Sequence, residues 1–156
     1  MRRTDRASRV VAAPVSRVFD ALVDRDALES WLPPSGMTGR FEHFDARPGG
    51  SYRLVLTYTE PSDSGGKSSA DSDIVEARYV EINRNDRVVQ AVDFVSDDPA
   101  FAGTMTMTWT VTAIPGGTRV EFVADDVPEG IDADEHAAGL ASSLDHLAAA
   151  VESRQW

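Results

Sequence analysis

The stretch from Thr104 to Thr112 constrains the fold of this chain most strongly. Within it, every odd-numbered residue is large and apolar, and every even-numbered residue is threonine. Because successive side chains of a β-strand point to opposite faces of a sheet, this alternation predicts a strand with one buried face and one face in water. Half-buried strands of this kind are typical of antiparallel sheets. The sequence therefore predicts an antiparallel sheet with one continuous apolar wall.

Similar alternation in the surrounding sequence predicts a meander of six strands. The joints 48–50, 83–86 and 115–117 are short and rich in glycine, proline or asparagine, so successive strands are expected to be antiparallel neighbours. Residues 61–72 are polar and rich in glycine and serine, and we interpret them as a flexible hairpin tip. The predicted strands are 38–45, 51–60, 73–83, 87–95, 103–114 and 118–125.

Helical spacing of apolar residues flanks the meander on both sides. A short strand at 9–13 ends at Pro14, and two short helices follow, the second capped by Asp24 and ending before Pro33-Pro34. A long helix is predicted from Asp132 to Gln155, with Asp132 as its cap and Glu135 as capping-box partner. At about 1.5 Å per residue it would be long enough to cross the concave face of the sheet.

Length and charge limit the functions that the chain can have. Its 156 residues fit one domain, 1–156, in which we expect residues 1–6 to be loose. There is no cysteine, so a disulfide framework and a thiolate zinc site are excluded. A net charge of −11 argues against nucleic acid and anionic membranes as partners, and no segment is apolar enough for a signal peptide or a membrane span. We therefore expect a soluble cytoplasmic protein.

No catalytic or metal-binding constellation is recognisable in the sequence. The histidines His43, His136 and His146 do not have the spacing of a zinc site, so we expect no metal and no other cofactor. The paired carboxylates lie at strand ends, in a loop and at a helix start, where acids commonly act as caps. His136 is interpreted as a helix-start histidine paired with a neighbouring acid such as Asp132 or Glu135.

Five short strings in the same order resemble a known family. The chain is similar to the bacterial proteins related to the activator of heat-shock protein 90 ATPase, within the START-like (SRPBCC) superfamily, over roughly Arg9 to Glu152. The resemblance implies an α+β helix-grip fold, a curved antiparallel sheet of about seven strands gripped by the C-terminal helix. The strings are Ala13-Pro14-x-x-x-Val18-Phe19-x-Ala21-Leu22, Trp31-Leu32-Pro33-Pro34, Arg47-Pro48-Gly49-Gly50, Gly116-Gly117-Thr118 and His136-x-x-Gly139-Leu140-x-x-Ser143-Leu144-x-x-Leu147.

A bent sheet with a helix across its open side tends to leave a pocket, and this fold therefore implies that the apolar wall faces a ligand. We expect an apolar or aromatic small molecule there, with Trp31 at the rim and Tyr52, Tyr58, Gln90 and His136 as polar contacts. The candidate lining residues are Trp31, Tyr52, Leu54, Leu56, Tyr58, Gln90, Val92, Met105, Met107, Trp109, Phe122, His136, Leu140 and Leu144.

Three alternatives to this binding function stay open at the level of sequence. The same wall would be ordinary core if the space were filled. An enzyme of the cyclase or dehydratase kind would use pocket groups such as His136 or Arg53 to move protons. A stress-related co-chaperone would use the acidic outer face to bind a chaperone, although the eukaryotic activator also needs a separate N-terminal domain to stimulate the ATPase. A homodimer is compatible with each of them.

Overall fold

Seven antiparallel strands and three α-helices make up the computed structural model, which describes residues 3–33, 36–59 and 72–152. A curved sheet, two short helices after the first strand and a long C-terminal helix confirm the predicted helix-grip architecture. The hairpin tip predicted at 61–72 lies outside the described residues, except for Ser72. The elements are β1 (Arg3–Val11), α1 (Val15–Val23), α2 (Arg25–Trp31), β2 (Met37–Phe44), β3 (Ser51–Tyr58), β4 (Ser72–Asn83), β5 (Arg87–Phe94), β6 (Met105–Ile114), β7 (Gly117–Val127) and α3 (Ala133–Glu152).

The strand order in the sheet is β1-β7-β6-β5-β4-β3-β2. Strands β2 to β7 form the predicted meander, and β1 pairs antiparallel with the outer edge of β7. The register places Trp109 of β6 opposite Val88 on one side and Phe122 on the other. Because these facing residues share one side of the sheet, the apolar wall continues from strand to strand.

Strand β1 begins at Arg3, six residues earlier than predicted, so residues 3 to 6 belong to the sheet. Their side chains alternate between half-buried and exposed, but they are polar and therefore give no hydrophobic signal. Backbone pairing with β7 and hydrogen bonds between charged or polar side chains hold these residues in the strand. The single Nε–H of Arg3 donates a bifurcated hydrogen bond to the two carboxylate oxygens of Asp5 at 2.9 and 3.1 Å, and Thr4 donates to Asp125 at 2.8 Å.

Side-chain caps set the helix starts where the sequence predicted them. Asp24 accepts a hydrogen bond from the backbone N–H of Ala27 at 3.0 Å, at the start of α2. Asp132 accepts one from the N–H of Glu135 at 3.0 Å, at the start of α3. These bonds satisfy backbone donors that the first helical turn leaves free. The described part of α3 has 20 residues, which corresponds to a length of about 30 Å.

Helix α3 lies on the concave side of the sheet, where it packs along β1 and against both short helices. A hydrogen bond and an ion pair attach its C-terminal half to β1 and to the residue that follows it. Glu152 accepts a hydrogen bond from the N–H of Ala12 at 2.8 Å, and Asp145 pairs with Arg9 at 2.5 Å. Beneath this half lies a filled core in which each side chain is at most 1 % exposed. It comprises Val11, Val18, Phe19, Val120, Leu144, Leu147 and Val151.

The carboxylate of Asp5 connects β1 to α3, and its removal tests this connection. Partial burial raises the pKa of Asp5, but the hydrogen bonds and charges of Arg3 and His136 outweigh burial and hold this pKa below its usual value. We expect Asp5→Asn to lower the free energy of unfolding at pH 7 by about 1–2 kcal/mol, since it removes charge-assisted hydrogen bonds.

The stability that Asp5→Asn removes should itself depend on pH, in a direction that follows from the lowered pKa of Asp5. The unfolded state binds a proton at Asp5 at a higher pH than the folded state, so the stabilisation is complete above the unfolded pKa of about 3.9 and disappears as the pH falls through the lower folded pKa. The free energies of unfolding of wild type and Asp5→Asn, measured in urea, should therefore begin to converge below about pH 4. Asp145→Asn, at an exposed ion pair, is the control and should cost under about 0.5 kcal/mol. A difference at Asp5 that stays constant from pH 7 to pH 3 would contradict this account.

Candidate ligand cavity

A cavity of about 830 Å³ lies between the concave side of the sheet and helices α2 and α3. Strands β3 to β7 supply its wall, and the N-terminal half of α3 closes one side. Exposed residues of the lining, among them Asp98, Asp132 and Glu135, surround an opening to solvent that we call the mouth. The volume falls within the range of small-molecule sites in proteins.

Thirteen of the fourteen residues that the sequence predicts as pocket lining surround this cavity. Their contact with a ligand stays a prediction. Leu144 is the exception, since it lies outside the lining and belongs to the filled core. Ser143 is the last residue of α3 in the lining, because beyond it the helix packs down onto β1 and leaves no space. The thirteen are Trp31, Tyr52, Leu54, Leu56, Tyr58, Gln90, Val92, Met105, Met107, Trp109, Phe122, His136 and Leu140.

Trp31 lies in the interior and not at the rim, which corrects the sequence-based expectation. Its side chain is fully buried, and its indole N–H donates to the backbone carbonyl of Ala21 at 2.9 Å. Its ring packs at 84° to that of Trp109, with centroids 5.3 Å apart, and Trp109 stacks on Phe122 with centroids 3.5 Å apart. The carbonyl near the end of α1 therefore allows a tryptophan to be buried here, since the indole N–H needs an acceptor.

A second group of aromatic residues surrounds Gln90, a buried polar side chain in the lining. Gln90 Oε1 accepts a hydrogen bond from Trp109 Nε1 at 3.3 Å. Burial raises the pKa of Tyr52 to about 12, and the nearby Gln90 side chain opposes this rise in part. Burial also raises the pKa of Tyr79, whose hydroxyl is enclosed and has no hydrogen-bond partner within the part of the chain that the structure describes. Both phenols therefore stay protonated at neutral pH.

His136 lies in the lining near the mouth, and its partner differs from the predicted one. Nδ1 of its ring is 2.7 Å from Oδ2 of Asp5, so the acid comes from β1 and not from Asp132 or Glu135. The sequence could not indicate this contact, because Asp5 and His136 are 131 positions apart and β1 carries no apolar pattern at that point. A carboxylate on Nδ1 orients the ring and favours the proton on that nitrogen.

The lining also includes residues that sequence analysis missed. Asp73, at 2 % exposure, is a buried carboxylate at the beginning of β4, and Phe101 extends from a single 3-10 turn at Pro99–Phe101. Burial raises the pKa of Tyr58, and the charges of Asp73 and Glu135 raise it further. One acid at the start of a strand and one aromatic residue in a loop have no periodic neighbours, so no pattern pointed to them.

Arg53, which the sequence offered as a proton-transfer group, lies outside the cavity lining. Its guanidinium pairs with Glu42 at 2.7 Å and Glu76 at 2.9 Å, on neighbouring strands of the sheet. Within residues 3–33, 36–59 and 72–152, no three histidine or acidic side chains come close enough together to hold a metal ion. In the same residues, no helix is long and apolar enough to span a membrane.

Known structures share this architecture. A Chromobacterium violaceum crystal structure is 32% identical to this chain, with a TM-score of 0.84 and 96% of each chain covered. A solution structure from Arthrobacter aurescens has a TM-score of 0.80 at 16% identity, covering 96% of this chain and 86% of its own. DynU16, from the dynemicin biosynthetic locus, has a TM-score of 0.70 at 20% identity, covering 97% of this chain and 48% of its own. The last two identities show the fold alone.

A comparison with curated proteins found no significant match. The family model described as "Activator of Hsp90 ATPase homolog 1-like protein" matches residues 12–152, which is nearly the whole chain. This range contains all five strings in which the sequence resembles the family, and it extends from the end of β1 to the end of the described part of α3. The chain therefore belongs to the Activator of Hsp90 ATPase homolog 1-like family, within the START-like superfamily.

Proposed function

We propose that this domain binds an apolar or aromatic small molecule in the cavity beneath α3, and that it does so in the cytoplasm. The observation that carries the proposal is the cavity of about 830 Å³ at the centre of the apolar wall. A sheet and a helix that had only to form a core would close around this space, because protein interiors are normally packed without large voids. Family membership supports a ligand-binding type of domain.

The composition of the lining supports an aromatic ligand. Trp109 and Phe122 present stacked rings, and the ring of Trp31 packs nearly perpendicular to that of Trp109. Met105 and Met107 complete this wall with flexible, polarisable side chains that adapt to differently shaped partners. Polar contacts are available from Tyr52, Tyr58, Gln90 and His136, which lie among the apolar residues and would orient the bound molecule.

Gly139 of α3 offers a direct way to block the cavity. It lies in the lining on the same helical face as His136 and Ser143, and a Cβ atom built at this position meets nothing within 4 Å. Leucine there would extend into the cavity, while replacing glycine in the middle of a helix favours helix formation by about 0.5–1 kcal/mol. Gly139→Leu should therefore obstruct the site without unfolding the domain.

We expect Gly139→Leu to weaken binding of the neutral fluorescent probe N-phenyl-1-naphthylamine at least tenfold, with an unchanged or higher melting temperature. Fluorescence titration measures the first quantity and calorimetry the second. The matched control is Ala137→Leu, an exposed alanine on the same helix that lies outside the lining, and it should bind the probe like wild type. If wild type binds neither this probe nor any compound of a broad apolar thermal-shift library, the proposed function is wrong.

Two buried leucines test, without any ligand, whether the wall faces open space. Leu144 is packed on all sides in the filled core, whereas Leu54, 2 % exposed, faces the cavity. Leu144→Ala should cost about 2–5 kcal/mol in the free energy of unfolding, since it removes contacts and creates a void. Leu54→Ala should cost at least about 1 kcal/mol less, because the void already exists on one side of it. Urea unfolding measures both, and equal losses would indicate a filled interior.

One observation favours a second candidate function, an enzyme that transfers protons within the same cavity. His136 lies in the lining and is held through Nδ1 by Asp5, as in sites where a carboxylate orients an imidazole for acid–base chemistry. Such an enzyme of the cyclase or dehydratase type would lose turnover in His136→Gln but keep its affinity for substrate. A pure binding domain would show no turnover in either protein.

A further inference from the structure

The carboxylates of the cavity lining all lie at one end of the sheet. Because neighbouring strands are antiparallel, the ends of β3, β5 and β7 and the start of β4 meet at the same edge. One carboxylate lies near the start of β4, one follows β5, and two lie at the start of α3, which follows β7. We call this part of the lining the acidic end of the cavity. Its carboxylates are Asp73, Asp98, Asp132 and Glu135.

The stacked rings of the lining lie far from the acidic end. Trp109 of β6, which stacks on Phe122, pairs with Val88 of β5. Four residues further along β5, Val92 pairs with Ala77 of β4, and four more residues in the same direction along β4 lead to Asp73. At about 3.3 Å per residue, this path along the strands is about 26 Å long. The cavity is therefore aromatic towards one end and acidic at the other.

Negative charge dominates the lining. In the part of the chain that the structure describes, four carboxylates line the cavity and no lysine or arginine does. The start of α3 contributes about half a positive charge, and the full charge of its capping residue Asp132 more than offsets it. His136 is the remaining group of this lining that can be positive, and Asp5 pairs with it at 2.7 Å. The acidic end therefore keeps a formal negative charge at pH 7.

Tyr58 places an aromatic ring close to two of these carboxylates. Asp73 lies opposite Leu56 in the register, and Tyr58 is two residues further on the same face of β3, at a diagonal spacing of about 7–8 Å. Burial raises the pKa of Tyr58, and the charges of Asp73 and Glu135 raise it further, so both carboxylates act on this side chain. Carboxylates and the faces of aromatic rings both attract ammonium groups.

Burial strengthens this attraction at Asp73. Its side chain is 2 % exposed, whereas Glu135 lies on the exposed side of the mouth. Solvent screens a buried charge less than an exposed one, so Asp73 attracts a cation inside the cavity more strongly than Glu135 does.

We infer that the cavity selects an organic cation with an apolar or aromatic body, that is, an amine whose protonated nitrogen lies at the acidic end near Tyr58. This inference rests on the proposed function and adds the charge and the orientation of the ligand, whose rings lie towards Trp109 and Phe122. A metal ion does not fit, because no three histidine or acidic side chains of the described ranges are close enough together to hold one. A carboxylate ligand would be repelled by the lining.

The test compares three probes that share a phenylhexyl body and differ in charge, namely 6-phenylhexylamine, 6-phenylhexan-1-ol and 6-phenylhexanoate. The amine is protonated at pH 7, as a lysine side chain is. Isothermal titration calorimetry gives the dissociation constant of each probe. We expect wild type to bind the amine at least about tenfold more tightly than the alcohol, the value of a hydrogen bond to a charged group, and to bind the carboxylate most weakly.

Two substitutions locate the preference for the amine over the alcohol. Glu135→Gln removes an exposed charge of the acidic end and should lower the preference about twofold to fivefold. Asp73→Asn removes the buried charge and should lower it about tenfold. The matched control is Glu121→Gln, which makes the same change of net charge at an exposed position of β7 outside the lining and should leave the preference unchanged. Affinity for the alcohol should stay at the wild-type value in all three variants.

Equal binding of the amine and the alcohol to wild type would show the inference to be wrong. A preference that Glu135→Gln leaves unchanged, or that Glu121→Gln lowers as much, also contradicts it, and this comparison holds even if Asp73→Asn does not fold. The neutral probe N-phenyl-1-naphthylamine separates the two failures. If it binds wild type, only the selection of a cation falls, and if neither it nor the apolar library binds, the proposed function falls too.

Discussion

The structure depends on a mismatch of width between one helix and one sheet. Seven strands at about 4.8 Å spacing form a face roughly 29 Å across, whereas a helix with its side chains is only about 10–12 Å wide. Helix α3 therefore covers the side of β1, and α1 and α2 cover a further part. The strands between β3 and β6 bend over the space that remains, and this space is the cavity. The apolar wall is thus in part a core and in part the surface of a site.

Several features of the fold could be predicted because they depend on neighbours in the chain. The threonine alternation of β6, the turns at the three short joints and the caps at Asp24 and Asp132 each involve residues within a few positions of one another, and the structure confirms them. The first half of β1 escaped prediction for the same reason. Its residues are ordered by β7 and α3, which lie more than a hundred positions away in the sequence.

The site was harder to predict than the fold, and Leu140 and Leu144 show why. They are the same residue type, one helical turn apart on one face of α3, yet Leu140 faces the cavity and Leu144 the filled core. The difference depends on the point along α3 at which the helix begins to pack on β1. The periodicity of the sequence does not indicate this point. The position of Trp31 was equally hard to predict. Its burial depends on the backbone carbonyl of Ala21, which accepts a hydrogen bond from the indole N–H. Spacing shows which side chains face inward, but not whether space remains there.

Strand β1 holds both halves of α3, and the two attachments differ in kind. The C-terminal half sits on a filled core and is fastened through Ala12 and Arg9, whereas the N-terminal half stands over empty space and reaches β1 through the contact of His136 with Asp5. The C-terminal half of α3 is therefore held by packing as well as by hydrogen bonds, whereas the N-terminal half depends on polar contacts. A change at Asp5 would thus act on the wall of the cavity without touching the filled core.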